Sequence, residues 1–259
     1  MIIDKIYMIN LKRKKNVADN SLEKLHNLNI NNNIFKKTEI FDAVDGQLLD
    51  KNDVNNKLTL KAKYTLTNPS SYNDIRTYGE IGCYLSHTNI WKEIVNNNYS
   101  NCIIFEDDVI PNVEYETIIK YLEDLPNDFD IAYLGWWSRN NIKLDQVNNI
   151  KLDKVNNIKL DKLNNNWSFT NFNNKKKETV LGLYSYIISN SGAKKLLSKA
   201  FPIDVQLDTF VSLYNNINKD FKRYLSTQQL FIADKTVLGE GNTHTVCDKC
   251  KFFEVLNKI

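Results

Sequence analysis

The sharpest chemistry in the sequence is a run of three acids. The apolar stretch Cys102–Phe105 stops abruptly at Glu106, Asp107 and Asp108. Side chains alternate along a strand, so Glu106 and Asp108 fall on one side of the strand line and Asp107 on the other. Carboxylates at the carboxyl end of a buried strand suit a hard divalent cation, which takes oxygen ligands and bridges diphosphate oxygens. The plainer alternative is a solvated acidic loop. Glu80 and His87 are seven residues apart, hence on one face of a helix predicted over Gly79–Asn96, where Ile81, Leu85, Trp91 and Ile94 give an apolar pattern. Polar groups in such a helix need partners, because burying them unsatisfied is costly. A lone histidine there is ordinarily a hydrogen-bonded core residue. Cys247 and Cys250 form a CxxC three residues beyond His244. A structural zinc or a disulfide is open to them, although a single CxxC is a weak signal. Cys83 and Cys102 lie in apolar patterns and read as small core residues.

The elements that must position these groups alternate in type. Lys5–Asn10 is a strand pattern followed by a helical one at Val17–Leu28, and Ile34–Phe41 reads as a second strand that ends in FDAVDG with a turn at Asp45-Gly46. Residues 50–75 read as a loop with short elements. A helix fits Val113–Leu125, strands fit Asp130–Gly135 and Leu183–Ser189, and a helix begins at Gly192. Pro202-Ile203-Asp204 opens another, carrying Val205, Asp208 and Phe210. Alternating strands and helices predict an α/β sandwich with a mostly parallel central sheet. Residues 140–163 repeat one octapeptide three times, NNIKLDQV, NNIKLDKV and NNIKLDKL. Three short copies are too few for a solenoid and read as a surface insertion over 140–166, with a β-like flap as the alternative. No linker divides the chain, so 1–259 is expected to be a single domain.

Composition narrows the partners. The 34 basic and 31 acidic residues leave a net charge of only +3, without the concentrated basic footprint of nucleic-acid binders. No apolar run reaches the roughly 18 residues of a membrane span. The charged start, MIIDKIYMINLKRKK, lacks a small-residue cleavage site and is not expected to be a signal peptide. Few cysteines and no secretory signal lead to the expectation of a soluble, cytoplasmic protein with reduced thiols. Abundant Asn and Lys point to an AT-rich genome, as in a host-associated bacterium or a large DNA virus.

Seven stretches together resemble glycosyltransferase family 25, which contains bacterial lipooligosaccharide glycosyltransferases and collagen β-galactosyltransferases. They are IYMINLKRKKN (6–16), FDAVDG (41–46), GEIGCYLSHTNIW (79–91), CIIFEDDV (102–109), YLG (133–135), LYSYIISNSGAKKLL (183–197) and PID (202–204). The 140–163 repeat is not part of the pattern, and the alignment fades beyond about residue 215.

The resemblance implies a GT-A-like nucleotide-sugar-binding α/β/α sandwich in which Glu106-Asp107-Asp108 stands for the DxD-like motif. It implies a UDP-sugar donor, most simply UDP-galactose or UDP-glucose, a glycan or hydroxylated protein acceptor, and inversion at the anomeric carbon. Mn²⁺ or Mg²⁺ would be held by Asp108, Glu106 and His244, with Asp107 beside the donor. Asn10, Leu11 and Arg13 would flank the nucleotide, with Asp45 and Gly46 near the base or ribose; for Arg13 the alternative is an exposed loop cation. Glu80, Ser86 and His87 would line the donor pocket, and Trp136 would offer a face to the sugar, as Trp137, Tyr184 and Tyr186 also could. Asp204 is the expected general base and Asp208 the alternate, although an Asp at a helix start commonly caps it. A member that binds sugar nucleotide or glycan without turnover is the competing reading. A sugar-nucleotide transferase on a similar scaffold is disfavoured because no early Gly-rich phosphate loop exists.

Overall fold

A computed structural model describes residues 1–29, 33–71, 73–138, 160–162, 164–170 and 180–234. Its strands are β1 (Lys5–Asn10), β2 (Thr38–Asp42), β3 (Asn101–Glu106), β4 (Val109–Pro111), β5 (Ile131–Tyr133), β6 (Trp137–Ser138), β7 (Leu160–Lys162), β8 (Trp167–Thr170), β9 (Val180–Leu181), β10 (Ser185–Ser189), β11 (Arg223–Ser226) and β12 (Phe231–Ala233). Its helices are α1 (Lys15–His26), α2 (Lys51–Asn55), α3 (Leu60–Thr67), α4 (Tyr78–Asn96), α5 (Tyr115–Glu123), α6 (Asn190–Leu197) and α7 (Leu207–Ile217). The central sheet has eight strands in the order β2-β1-β3-β10-β5-β11-β8-β7. Only β10 and β8 oppose the other six, so the mostly parallel α/β architecture expected from the sequence is what forms.

Strand alternation explains the two cores. Tyr7, Ile9, Cys102, Ile104, Tyr186 and Ile188 pack on one face beneath α4, α6 and α7. Ile6, Met8, Ile103, Phe105 and Ile187 pack on the other, beneath α1 and α5. Strands covered on both faces read as near-continuous apolar runs, as CIIF and YII do. The next residue on the α4 side of β3 is Glu106, so the register that buries Cys102 and Ile104 aims this acid at α4.

Two boundaries differ from expectation by more than two residues. Ile34–Lys37 is a 3-10 turn, because the Asn33 side chain accepts the Phe35 N–H (2.8 Å) and Phe35 drops into the second core; the strand starts at Thr38. Helix α7 starts at Leu207, not at residues 202–204, because Ile203 is drawn into a parallel bridge with Leu58. The short elements expected within 50–75 are two helices among the described residues, each capped by its own residue: Asp50 accepts the Asn52 N–H (2.7 Å) and Thr59 the Ala62 N–H (3.1 Å). The third octapeptide copy supplies β7, which pairs with β8 at the sheet edge. The rest of the repeat, and His244, Cys247 and Cys250, lie outside the described residues.

Candidate active site at the carboxyl ends of the strands

The carboxyl ends of β1, β3 and β5 and the amino end of β10 converge at one edge of the sheet, where ligands collect in open α/β folds. The backbone there is tightly tied. The Glu106 N–H donates to Tyr184 O (2.9 Å), and Asp234 at the end of β12 donates its N–H to Asp108 O (2.7 Å). Ser21 of α1 donates its hydroxyl to the Asp107 carbonyl (2.7 Å). Asp107 is thereby tied to the α1 side while Glu106 faces α4, so consecutive acids diverge.

Gathering these acids raises all three. Burial, reinforced by Asp208, pushes Glu106 up to about 7. Burial, then Asp108 and Glu106, does the same for Asp107, with Lys14 opposing. Burial, then Glu106 and Asp234, takes Asp108 to about 7. Asp108 Oδ1 and Asn10 Oδ1 are buried without a hydrogen-bond partner. Unpartnered oxygens among mutually repelling carboxyls fit a divalent cation, with Asp108, Glu106 and Asp107 able to supply ligands.

His87 is 1% exposed and sits between two groups. Its Nδ1 is 2.9 Å from Tyr186 Oη, and its Nε2 is 3.5 Å from Glu106 Oε1. Trp91 Nε1–H donates to the same Tyr186 oxygen (3.0 Å). Burial, partly offset by Asp208, pushes His87 down to about 4, so the imidazole is neutral at pH 7. Cys83, one turn before His87 on α4, is not core as expected. It is half-buried beside His87 and Glu106, because the stripe of α4 that carries Glu80, Cys83 and His87 faces the strand ends. Burial, then the charges of Glu106 and Asp208, raises its thiol well above the usual range.

Asp208, in the first turn of α7, completes the acidic wall. Its carboxylate accepts the N–H groups of Gly182 (3.1 Å) and Leu183 (3.3 Å). Asp204 lies elsewhere. It accepts from Thr59 Oγ1 (2.6 Å) and pairs with Lys61 Nζ (3.2 Å), joining α3 to the loop before α7.

Several other expected donor contacts serve to hold the cleft walls. Arg13 Nε donates to Asp45 Oδ2 (2.7 Å), clamping the loop after β1 to the FDAVDG loop and holding Asp45 below its usual range. Gly46 packs so closely on α4 that a Cβ would stand 2.1 Å from Tyr78 O. Ser86 Oγ accepts the Val44 N–H (2.9 Å). Glu80 completes the α4 capping box with Thr77, binds the Arg76 guanidinium (2.6 Å) and accepts from Gln206 Nε2 (2.7 Å). Leu11 is buried, and Trp136 is buried with its indole N–H on Ser226 O (3.0 Å). Trp137, its neighbour, is 49% exposed and borders Gly182. A separate groove of about 650 Å³ lies at the opposite, amino ends of β1 and β2, where Lys5 pairs with Glu39. Its three acids, Asp4, Glu39 and Glu123, are matched by three lysines, Lys5, Lys36 and Lys37.

The Glycosyltransferase family 25 (LPS biosynthesis protein) model matches residues 3–211. The chain belongs to glycosyltransferase family 25. Within the family it is 34% identical over 136 residues to procollagen galactosyltransferase 2 of Homo sapiens, covering 52% of this chain and 20% of that protein. It is 28% identical over 263 residues to procollagen galactosyltransferase 1-B of Xenopus laevis, covering 96% of this chain and 37% of that one. It is also 31% identical over 134 residues to inactive glycosyltransferase 25 family member 3 of Homo sapiens, covering 51% of the chain and 20% of that protein. This family 25 chain thus spans 20% to 37% of the length of these three relatives. Among solved structures, apo mouse xyloside xylosyltransferase 1 aligns with a TM-score of 0.39 and 8% identity, covering 85% of this chain and 84% of that one. No described helix is long and apolar enough to cross a membrane.

Proposed function

We propose that this family 25 chain transfers a hexose, galactose in the first instance, from a UDP-sugar to a hydroxyl of a glycan or protein acceptor, with inversion and with Mn²⁺ or Mg²⁺. The observation that carries the reading is the buried, unpartnered Asp108 Oδ1 within three carboxyls that repel one another at the strand ends. Asp108 with Glu106 or Asp107 would hold the ion, which when bound neutralises charge on the departing diphosphate. Asn10 Oδ1, also unpartnered, would accept a hydrogen bond from the nucleotide. The Arg13–Asp45 clamp holds the loops on either side of it.

Asp208 is favoured over Asp204 as general base. Two backbone N–H groups anchor its carboxylate at the β9–β10 turn beside the strand ends, and its charge acts on Glu106 and His87. The acceptor oxygen bonds to the anomeric carbon, the carbon–diphosphate oxygen bond breaks, and the hydroxyl proton passes to Asp208. Exposed Trp137 beside Gly182 offers a flat apolar face for a sugar ring. The relation to a procollagen galactosyltransferase suggests galactose and a hydroxylated protein acceptor.

A second reading, binding without turnover, is favoured by the likeness to an inactive family member. The two separate in one experiment: nucleotide release from a panel of UDP- and GDP-sugars with Mn²⁺, alongside donor affinity. Turnover that Asp108→Asn abolishes is expected. Asp208→Asn should lose about 10²-fold or more in transfer while donor binding persists. Donor binding with no turnover for any sugar would establish the second reading, and no binding at all would remove both.

A further inference from the structure

Cys83, His87 and Glu106 bring three different ligand types to one point. The thiol sulfur, an imidazole nitrogen and a carboxylate oxygen all lie within 4.8 Å of one another. Cys83 and His87 are one helical turn apart on α4, so their side chains stack on one face, while Glu106 arrives from the end of β3. A tetrahedral zinc ion with ligands at about 2.0–2.3 Å sets neighbouring ligand atoms roughly 3.4–3.6 Å apart. His87 Nε2 and Glu106 Oε1 already stand 3.5 Å apart. The sulfur, no more than 4.8 Å from either of the other two ligand atoms, has at most about an ångström to close, within the reach of a χ1 adjustment.

We infer that Cys83, His87 and Glu106 form a thiolate–imidazole–carboxylate site for Zn²⁺, separate in ligand chemistry from the hard-cation position at Asp108. Sulfur and imidazole select zinc over Mg²⁺ or Mn²⁺. The surroundings match such a site. Tyr186 Oη accepts the Trp91 indole N–H and lies 2.9 Å from His87 Nδ1; when the phenol accepts from Nδ1–H as well, Nε2 is left free to ligate. Burial keeps His87 neutral, and a bound zinc ion would deprotonate the Cys83 thiol outright. Glu106, with its side chain 36% exposed, leaves the fourth position open to water.

Glu106 is a ligand of the zinc site and one of the two acids that could join Asp108 at the hard-cation position. A zinc ion on Cys83 and His87 holds that carboxylate toward α4 and away from Asp108, so zinc inhibits the transfer proposed above. The binding claim stands without that reading; the inhibition rests on it.

Cobalt(II) titrated into the full chain under a non-thiol reductant is the direct test. One equivalent should give tetrahedral visible bands and a thiolate-to-cobalt charge-transfer band. The band should vanish in Cys83→Ser and survive in Cys247→Ser/Cys250→Ser. Its absence from the parent chain, its survival in Cys83→Ser, or its loss only in the tail double variant would overturn the site. Alkylation of Cys83, read by mass spectrometry, should slow at least tenfold with Zn²⁺ present; an unchanged rate would also count against the site. Donor turnover with Mg²⁺ should be inhibited by Zn²⁺ in the parent chain and at least tenfold less so in Cys83→Ser, whose zinc-free turnover stays near the parent value. Equal zinc sensitivity in both overturns the inhibition. A chain with no turnover at all leaves the cobalt result standing and removes the transferase reading alone.

Discussion

Three carboxyls held near 7 at the end of β3 cost folding free energy whenever they are ionised. The sign follows from proton binding. Between about 4 and 7 the folded chain holds protons at these groups that the unfolded chain has released, so stability falls as pH rises through that window and is lowest above 7. The groups titrate as a cluster, so the penalty belongs to the set. Asp108→Asn removes one member and relieves the others. In chelator at pH 8 it should raise unfolding free energy by about 1–2 kcal/mol, a value below the full pKa shift because the cleft is partly solvated. At pH 4 the gain should disappear. Urea unfolding of both chains at the two pH values measures this, and equal stability at pH 8 would mean the acids are not crowded as described. Such a cost at a residue proposed to bind a cation follows the usual trade between stability and function.

At the scale of elements, short turns complete the cleft that α4 and the strand ends build, and Gly182 is the turn residue constrained by its own backbone conformation. Its φ of +106° is a conformation that side-chain-bearing residues rarely adopt, and an added Cβ would stand 2.9 Å from the Tyr184 ring. Its N–H also holds Asp208 (3.1 Å). Gly182→Ala should therefore cost about 1–3 kcal/mol and reduce kcat more than donor affinity, because the turn that aims Asp208 shifts. Thermal unfolding with donor kinetics tests it; an unchanged kcat would detach this turn from the chemistry. Asp204 offers a contrast at the same scale. Its bonds to Thr59 and Lys61 are half-exposed, so Asp204→Asn should cost about 1 kcal/mol or less and leave kcat within about twofold. Lost turnover there would restore Asp204 as base.

Across the whole molecule, legibility tracked the range of the interactions. The apolar runs CIIF and YII and the FEDD step were readable because burial on both faces leaves a local pattern. Glu80 and His87 share one stripe of α4 because the helical period is itself a local pattern. What α4 faces was not readable: Cys83 beside Glu106, and Asp208 beside the β9–β10 turn, depend on strand order and on an antiparallel β10 between β3 and β5. Nor was the displacement of Asp204, which follows from the Leu58–Ile203 bridge between distant segments. The octapeptide repeat joins local pattern to long-range role, since its third copy forms edge strand β7 while the first two precede it. Because the copies are nearly identical, excising 140–147 leaves the β7 sequence and its pairing with β8 unchanged. Shortening the connection by one unit changes loop-closure entropy by only a few tenths of a kcal/mol. The excised chain should unfold within about 2 °C of the parent with donor turnover intact. Excising 156–163 instead leaves a preceding copy, NNIKLDKV, to take the β7 position with Val for Leu at its end, and should behave alike. Removing all three copies uncovers the edge of β8 and should lower the unfolding temperature measurably; a chain indifferent to that loss would show that β7 contributes nothing to the sheet.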